Sequence, residues 1–340
     1  MSQRVQRPEV VVVTGASGGV GRATARAFGK RGAQVCLVAR GQAGLEGAKR
    51  DVEQAGGKAI IVAGDAADPQ THERAAQQAE ETFGPIDIWV NVAFTTVFSP
   101  FMEVTPEEYK RVTEVTYLGY VYGTQAALRR MIPRDRGTII QVGSTLAYRG
   151  IPLQAAYCGA KHAIQGFTES LRAELIHNKS HVRVTMPQLP AVNTPQFTWG
   201  RNKMPRKAQP VPPIYQPEVI AGAIYWAAHH KRRQIFIGAS TAIVITGNKF
   251  FPGFGDWYLA KTGYDSQMRP ELRDPNQPDN LFEPVDTSKD YGAHGAFDDR
   301  SIGRSYEVWV AEHKGMLAGA VAGVGGAAAA GLLYMSRQRG

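Results

Sequence analysis

Three side chains in one stretch have the types and spacing for proton chemistry: Ser144, Tyr157 and Lys161. Tyr157 and Lys161 are four apart, so on a helix they share a face, one turn from each other. An ammonium beside a phenol favours the phenolate and lowers the tyrosine pKa from its usual value near ~10. The run Gly137 to Gly143 reads as a buried strand that delivers the Ser144 hydroxyl to the same place. A proton donor, a cation that tunes it and a hydroxyl that holds a developing oxyanion are what carbonyl reduction needs. Alone, the pattern Tyr-x-x-x-Lys equally describes a surface lysine one turn from a half-buried tyrosine. The elements upstream decide between the two.

Those elements alternate. Glu9 to Thr14 is a β-branched run suited to a buried parallel strand, followed by a glycine-rich segment and a helix from Arg22 to Arg31. Strands are expected at 34–39, 58–63, 86–90, 137–143, 182–186 and 234–238. Helices are expected at 43–55, 69–83, 107–131, from Tyr157 to about Asn178, and at 217–230. Strands alternating with helices predict an α/β fold, a Rossmann-type doubly wound parallel sheet with helices on both faces.

The glycine-rich segment Thr14-Gly15-Ala16-Ser17-Gly18-Gly19-Val20-Gly21 lies after a strand and before a helix. Glycines there let the backbone approach a pyrophosphate, and the helix N-terminus favours its charge. The second strand ends in Ala39-Arg40, with no acid to bind both ribose hydroxyls. A cation in that place predicts a preference for NADP(H) over NAD(H).

The glycine-rich loop, Asp65, Asn91, Ser144 and Tyr157-x-x-x-Lys161 occur in this order, and the combination resembles the short-chain dehydrogenase/reductase family over about residues 8–240. The resemblance implies a seven-stranded sheet and one bound dinucleotide. Tyr157 would be the general acid/base, Lys161 would tune it and hold the nicotinamide ribose, and Ser144 would hold the carbonyl oxygen. The cofactor set implied is Gly15, Ser17, Gly18, Gly19, Val20, Gly21, Arg40, Asp65, Ala66, Asn91, Ala93, Tyr157, Lys161 and Thr194. Asp65 would contact the adenine, Asn91 would support the central strands, and Thr194 would lie near the carboxamide. Three places depart from the family pattern. Phe94 stands where a glycine is usual. Thr116 takes the position of the fourth catalytic residue, an asparagine, and its hydroxyl is expected to bind a relay water. Pro187 to Thr194 replaces the usual Pro-Gly.

The remaining chain bears on substrate and location. The formal charge is +9, but the basic residues are scattered, with no long cationic run and no zinc-finger spacing, so nucleic acid is not an expected partner. The eight histidines show no metal-ligand spacing, and Cys36 and Cys158 define no disulfide framework. Phe197, Trp199, Met204 and Ile214, in the segment that closes family pockets, suit an apolar carbonyl or alcohol; Arg201, Lys203, Arg206 and Lys207 could instead attract an anionic group. Residues 1–240 are read as the catalytic domain and 241–268 as an apolar, aromatic helical extension. Residues 269–304 are read as a Pro/Asp-rich linker or wrapping segment and 305–340 as a C-terminal helix with an apolar segment. Within the last, Met316 to Met335 is uncharged and long enough for a single transmembrane helix, which predicts a cytoplasmic catalytic domain attached to a membrane. A homo-oligomer is expected. The competing reading is a membrane-tethered NADP-binding sensor or scaffold with little turnover.

Overall fold

The computed structural model describes residues 7–306 together with 309 and 310. Seven strands form the central sheet: β1 (Val10–Thr14), β2 (Gln34–Ala39), β3 (Lys58–Ala63), β4 (Ile88–Asn91), β5 (Thr138–Gln141), β6 (Arg183–Gln188) and β7 (Gln234–Phe236). Their order is β3-β2-β1-β4-β5-β6-β7, and every pairing is parallel. Side chains alternate across a strand. Val11 and Val13 therefore meet one helical layer, α1 (Gly19–Gly29), α2 (Gln42–Gln54) and α7 (Pro217–His229). Val10 and Val12 meet the other, α3 (Pro69–Phe83), α5 (Gly119–Met131) and α6 (Ala155–His177). The order of strands reverses between β1 and β4, and the crevice beyond the strand C-termini at that reversal is where such sheets bind ligands.

The long helix expected over 107–131 is interrupted. Helix α4 (Pro106–Thr113) starts with a capping box between Thr105 and Glu108, and a π-helical turn, Glu114–Leu118, carries it into α5. A π turn adds a residue to the helical circuit and re-aims the side chains beyond it.

Beyond β7, the aromatic extension forms two helices, α8 (Ala239–Phe250) and α9 (Pro252–Thr262). The expected linker, 269–304, is a packed strap. Its start, Met268–Leu272, pairs antiparallel with Arg206–Ala208, and its end, Ser301–Ile302, joins Ile214–Tyr215 in a small parallel sheet. Arginines hold the part between. Arg201 Nε bonds Asp279 at 2.8 Å, Arg111 Nε donates to Leu281 O at 2.9 Å, and Arg40 donates to the carbonyls of Asn280 and Phe282. Arg22 pairs with Asp290. Proline and aspartate content signalled irregular backbone correctly, but irregular backbone is fastened here by side-chain cations rather than left unattached. Among the described residues no helix is long and apolar enough to cross a membrane. The span expected at 316–335 lies outside the described residues.

Candidate active site

Strand β5 and helix α6 carry the chemistry. β5 runs on through Val142 and Gly143 to Ser144, whose N–H donates to Gln188 Oε1 at 3.0 Å and whose Oγ caps the following turn at Leu146 N, 3.1 Å away. Helix α6 presents Tyr157 and Lys161 on one face, the lysine buried and the tyrosine half-buried. The Ser144 hydroxyl lies close enough to the Tyr157 phenol to lower its pKa. Ser144, Tyr157 and Lys161 therefore share one cavity of about 490 Å3, which continues to Gly15, Gly19, Arg40 and Asp65.

The electrostatics differ from what the helical spacing predicts. Lys161 Nζ lies 5.6 Å from the Tyr157 ring centre and spends its hydrogen bonds elsewhere, on Val142 O at 2.8 Å and Tyr120 Oη at 3.1 Å. Burial pushes the Tyr157 phenol well above its ordinary range, and the Ser144 hydroxyl pulls it only partly back. Burial also lowers the Lys161 ammonium to about 7. The site thus holds a neutral phenol, the proton-donating form, beside a lysine that exchanges its own proton near neutrality.

Thr116 does not join the group. It is fully buried in the π turn, where its hydroxyl donates to Thr95 O at 3.0 Å and accepts from Thr95 N at 3.1 Å. Both bonds hold the loop after β4. The hydroxyl that reaches Lys161 is that of Tyr120, which sequence reasoning missed. Tyr120 Oη donates to Val142 O at 3.0 Å and accepts from Lys161, so β5, α5 and α6 converge on two polar atoms. Phe94 packs its ring 5.5 Å from that of Tyr157, a bulkier neighbour than the expected glycine.

The nucleotide end fits a dinucleotide. Gly15 takes a positive φ of 65°, and a Cβ there would lie 2.8 Å from Ala93 Cα; a Cβ on Gly21 would lie 2.1 Å from Gly15 O. The loop can therefore lie flat against both the β4 loop and its own helix only with glycine at these positions. The N-cap of α1 is Gly18, which offers no side-chain cap. Ser17, Gly18, Gly19, Val20, Arg40, Asp65, Ala66, Ala93 and Thr194 all line the cavity. Asn91 does not line it: its amide bonds Gln141 Oε1 at 2.9 Å and Thr124 Oγ1 at 3.2 Å, and its carbonyl accepts from Trp89. It ties β4 to β5 and α5 from behind.

Asp65 and Arg40 already have protein partners. The Asp65 carboxylate accepts from Arg111 Nη2 at 2.5 Å and Ala67 N at 2.9 Å. Burial opposes its charge, but these two donors and the nearby Arg40 outweigh burial and hold the carboxyl below its usual range. The strap adds a second acid to this corner. Asp286 is 7% exposed and lines the cavity close to Gly41 and Gly44 at the start of α2, within electrostatic reach of Arg40. Leu281 of the strap is fully buried in a cluster with Val112 and Ala156, against which Tyr157 packs. No local signal marks these residues, because Asp286 lies 245 positions from Gly41 and Leu281 lies 125 positions from Ala156. Three of the four cations in the segment are likewise paired, Arg201 and Lys203 with Glu108 and Arg206 with Asp265, while Lys207 is exposed. Among the described residues no group of His, Cys, Asp and Glu could hold a metal ion.

Comparison with known proteins matches residues 9–204 to the short chain dehydrogenase model. The uncharacterized oxidoreductase YxnA of Bacillus subtilis is 34% identical over 279 residues, 82% of this chain and 78% of its own length. The 3-dehydrosphinganine reductase of Danio rerio is 35% identical over 62% of this chain and 65% of its own length. Among solved structures, a variant of actinorhodin polyketide ketoreductase with NADPH superposes with a TM-score of 0.52 at 30% identity, covering 55% of this chain and 72% of that one.

Proposed function

The chain belongs to the short-chain dehydrogenase/reductase family, oxidoreductases acting between alcohols and carbonyls, and from that premise we propose that it is an NADP(H)-dependent reductase of an apolar ketone or aldehyde. The observation that carries the reading is the joint enclosure of Ser144, Tyr157 and Lys161 in one cavity with the glycine-rich loop. When bound, the dinucleotide supplies the hydride. Tyr157, held as a neutral phenol, gives its Oη proton to the carbonyl oxygen as the carbon is reduced. Ser144 donates a hydrogen bond to the same oxygen. Lys161 places a positive charge near the phenolate that the transfer leaves behind, and the alcohol-oxidising direction reverses each step.

NADP(H) is the preferred cofactor in this reading. Arg40 is the cation at the end of β2, and a 2′-phosphate would replace the strap carbonyls that it now holds. The NADPH in the actinorhodin ketoreductase structure supports the same choice. The apolar substrate follows from the lining by Val115, Leu146, Ile151 and Phe197, with Arg201 and Lys203 already paired. The protein works as a homo-oligomer whose catalytic part lies in the cytoplasm, held to a membrane by residues 316–335.

The test is NADPH oxidation with a panel of ketones and aldehydes, run beside NADPH binding. Tyr157→Phe should lower turnover by about 10²–10⁴-fold while leaving NADPH binding nearly intact. A Tyr157→Phe protein with unaltered turnover refutes the mechanism. A second reading, a dinucleotide-binding sensor with little turnover, is favoured by one observation: Thr116 spends its donor on Thr95 and is not among the residues that line the cavity. Tight NADPH binding with no turnover across the panel would select it.

A further inference from the structure

Helices α8 and α9 are fastened by polar contacts and show their largest apolar side chains to solvent. Arg149 Nη2 bonds Asp256 at 2.5 Å, and its Nη1 donates to Asn248 Oδ1 at 3.2 Å and to Pro252 O at 3.1 Å. Asn248 Nδ2 donates in turn to Tyr148 O at 2.8 Å. Helix α9 has no buried residue at all. Ile243, Phe250, Phe251, Phe254 and Trp257 are 54–71% exposed. Phe254 packs 5.8 Å from Trp257, so these rings make one surface rather than scattered contacts. A water-facing helix normally shows the opposite arrangement, and contiguous apolar surface of this kind marks an interaction site.

This surface reaches the active-site cavity. Val244 and Tyr258 are exposed on it and also line the cavity that holds Ser144 and Tyr157. An apolar path therefore runs from the outer face to the proton donor. Charge and sequence identify what covers the face. Lys249 and Lys261 flank the aromatic rings, and Lys261 Nζ stands 4.2 Å over the Trp257 ring. Tryptophan and tyrosine beside lysine suit the boundary between lipid headgroups and acyl chains. The chain carries a formal charge of +9, and its uncharged stretch 316–335 comes about fifty residues later, ahead of Arg337 and Arg339.

We infer that α8 and α9 dock the cavity mouth onto an anionic lipid surface, and that the substrate is a long-chain carbonyl or alcohol entering from the lipid. The docking stands on the exposed face; the substrate clause rests on the reductase reading above.

The test uses the full chain with Phe254→Cys carrying an environment-sensitive fluorophore, Cys36 and Cys158 being buried. A label on Ile176→Cys, exposed on α6, is the control. On adding phosphatidylcholine vesicles that contain phosphatidylglycerol, the label at 254 should shift to the blue and be quenched by brominated acyl chains, with no change at 176. A label at 254 that responds to protein concentration without vesicles, and not to vesicles, would assign the face to a second copy and overturn the docking. Silence under both conditions overturns it too. In the kinetic arm, the Phe251→Ser, Trp257→Ser double variant should keep turnover of a short water-soluble ketone and lose about tenfold or more on a long-chain ketone presented in vesicles. Equal loss on both substrates, or on neither, overturns lipid entry. Absence of turnover by the unaltered chain with either ketone would sink the reductase reading and its substrate clause, while the fluorescence arms decide the docking by themselves.

Discussion

Lys161 and Tyr157 share a helix face, yet Lys161 spends its hydrogen bonds on Val142 O and Tyr120 Oη, and its burial sets a pH dependence. In the open chain Lys161 titrates at the ordinary 10.5; in the fold burial lowers it to about 7. Between those values the unfolded chain keeps a proton that the fold has released. Stability therefore rises as pH climbs from about 7, and the penalty of the buried ammonium is complete below that pH. The dependence from this one group cannot exceed about 1.4 kcal/mol per pH unit. Lys161→Met should flatten it. The check is urea unfolding of the dinucleotide-free protein between pH 7 and 9, below the range where tyrosines titrate, compared with the unaltered chain. An identical slope in both would exclude Lys161 as its source. The residue types of this centre were legible in the sequence because they lie within 18 positions of one another. Tyr120 was not, because its meeting with Lys161 spans 41 positions and two helices. Thr116 was legible as a substitution but not in its surroundings, since only the fold shows its hydroxyl donating to and accepting from Thr95.

At the scale of elements, the sheet and its helices followed the periodicity of the sequence closely. The expected bounds of β2, β3 and α3 are the observed ones. Each of these is bracketed by a local stop signal, glycine before or after a β-branched run, or Asp68 and Pro69 at the start of α3. The π turn carried no such signal, because an extra residue in a helical circuit leaves no mark on composition. Nor did the strap. Its contribution to cofactor choice is a prediction of this scale. In the proposed NADP(H) reading Arg40, just beyond β2, attracts a 2′-phosphate, while Asp286 on the strap puts a carboxylate into the same corner and opposes it. Asp286→Asn should therefore widen the preference for NADPH over NADH, by about tenfold if one charge interaction of about 1.4 kcal/mol is removed. Arg40→Asp should narrow or invert it. The measurement is the ratio of kcat/KM for the two cofactors with one ketone. A ratio unmoved by both substitutions would show that this corner does not read the ribose.

The whole molecule joins a reductase-type cavity, a strap that crosses it and an exposed apolar face at its mouth. If residues 316–335 hold the chain to a membrane, removal of residues 315–340 should shift the protein from the pellet to the supernatant on cell fractionation. A full-length chain already found in the supernatant would refute the anchor. Retention of the shortened chain at the vesicle surface, lost on combining the truncation with Trp257→Ser, would separate the contribution of α8 and α9. The sequence by itself determined the α/β class, the order of elements and the spacing that brings Ser144, Tyr157 and Lys161 to one cavity. Hydrophobic periodicity, glycine placement and short spacings are local properties, and a linear reading captures local properties. Tertiary structure alone decided which hydroxyl reaches Lys161, that burial raises the Tyr157 phenol despite Ser144 beside it, and that residues near 280–290 return to the ends of strands formed by the first forty. Those outcomes depend on desolvation and on contacts between distant segments, and neither quantity exists until the chain has folded.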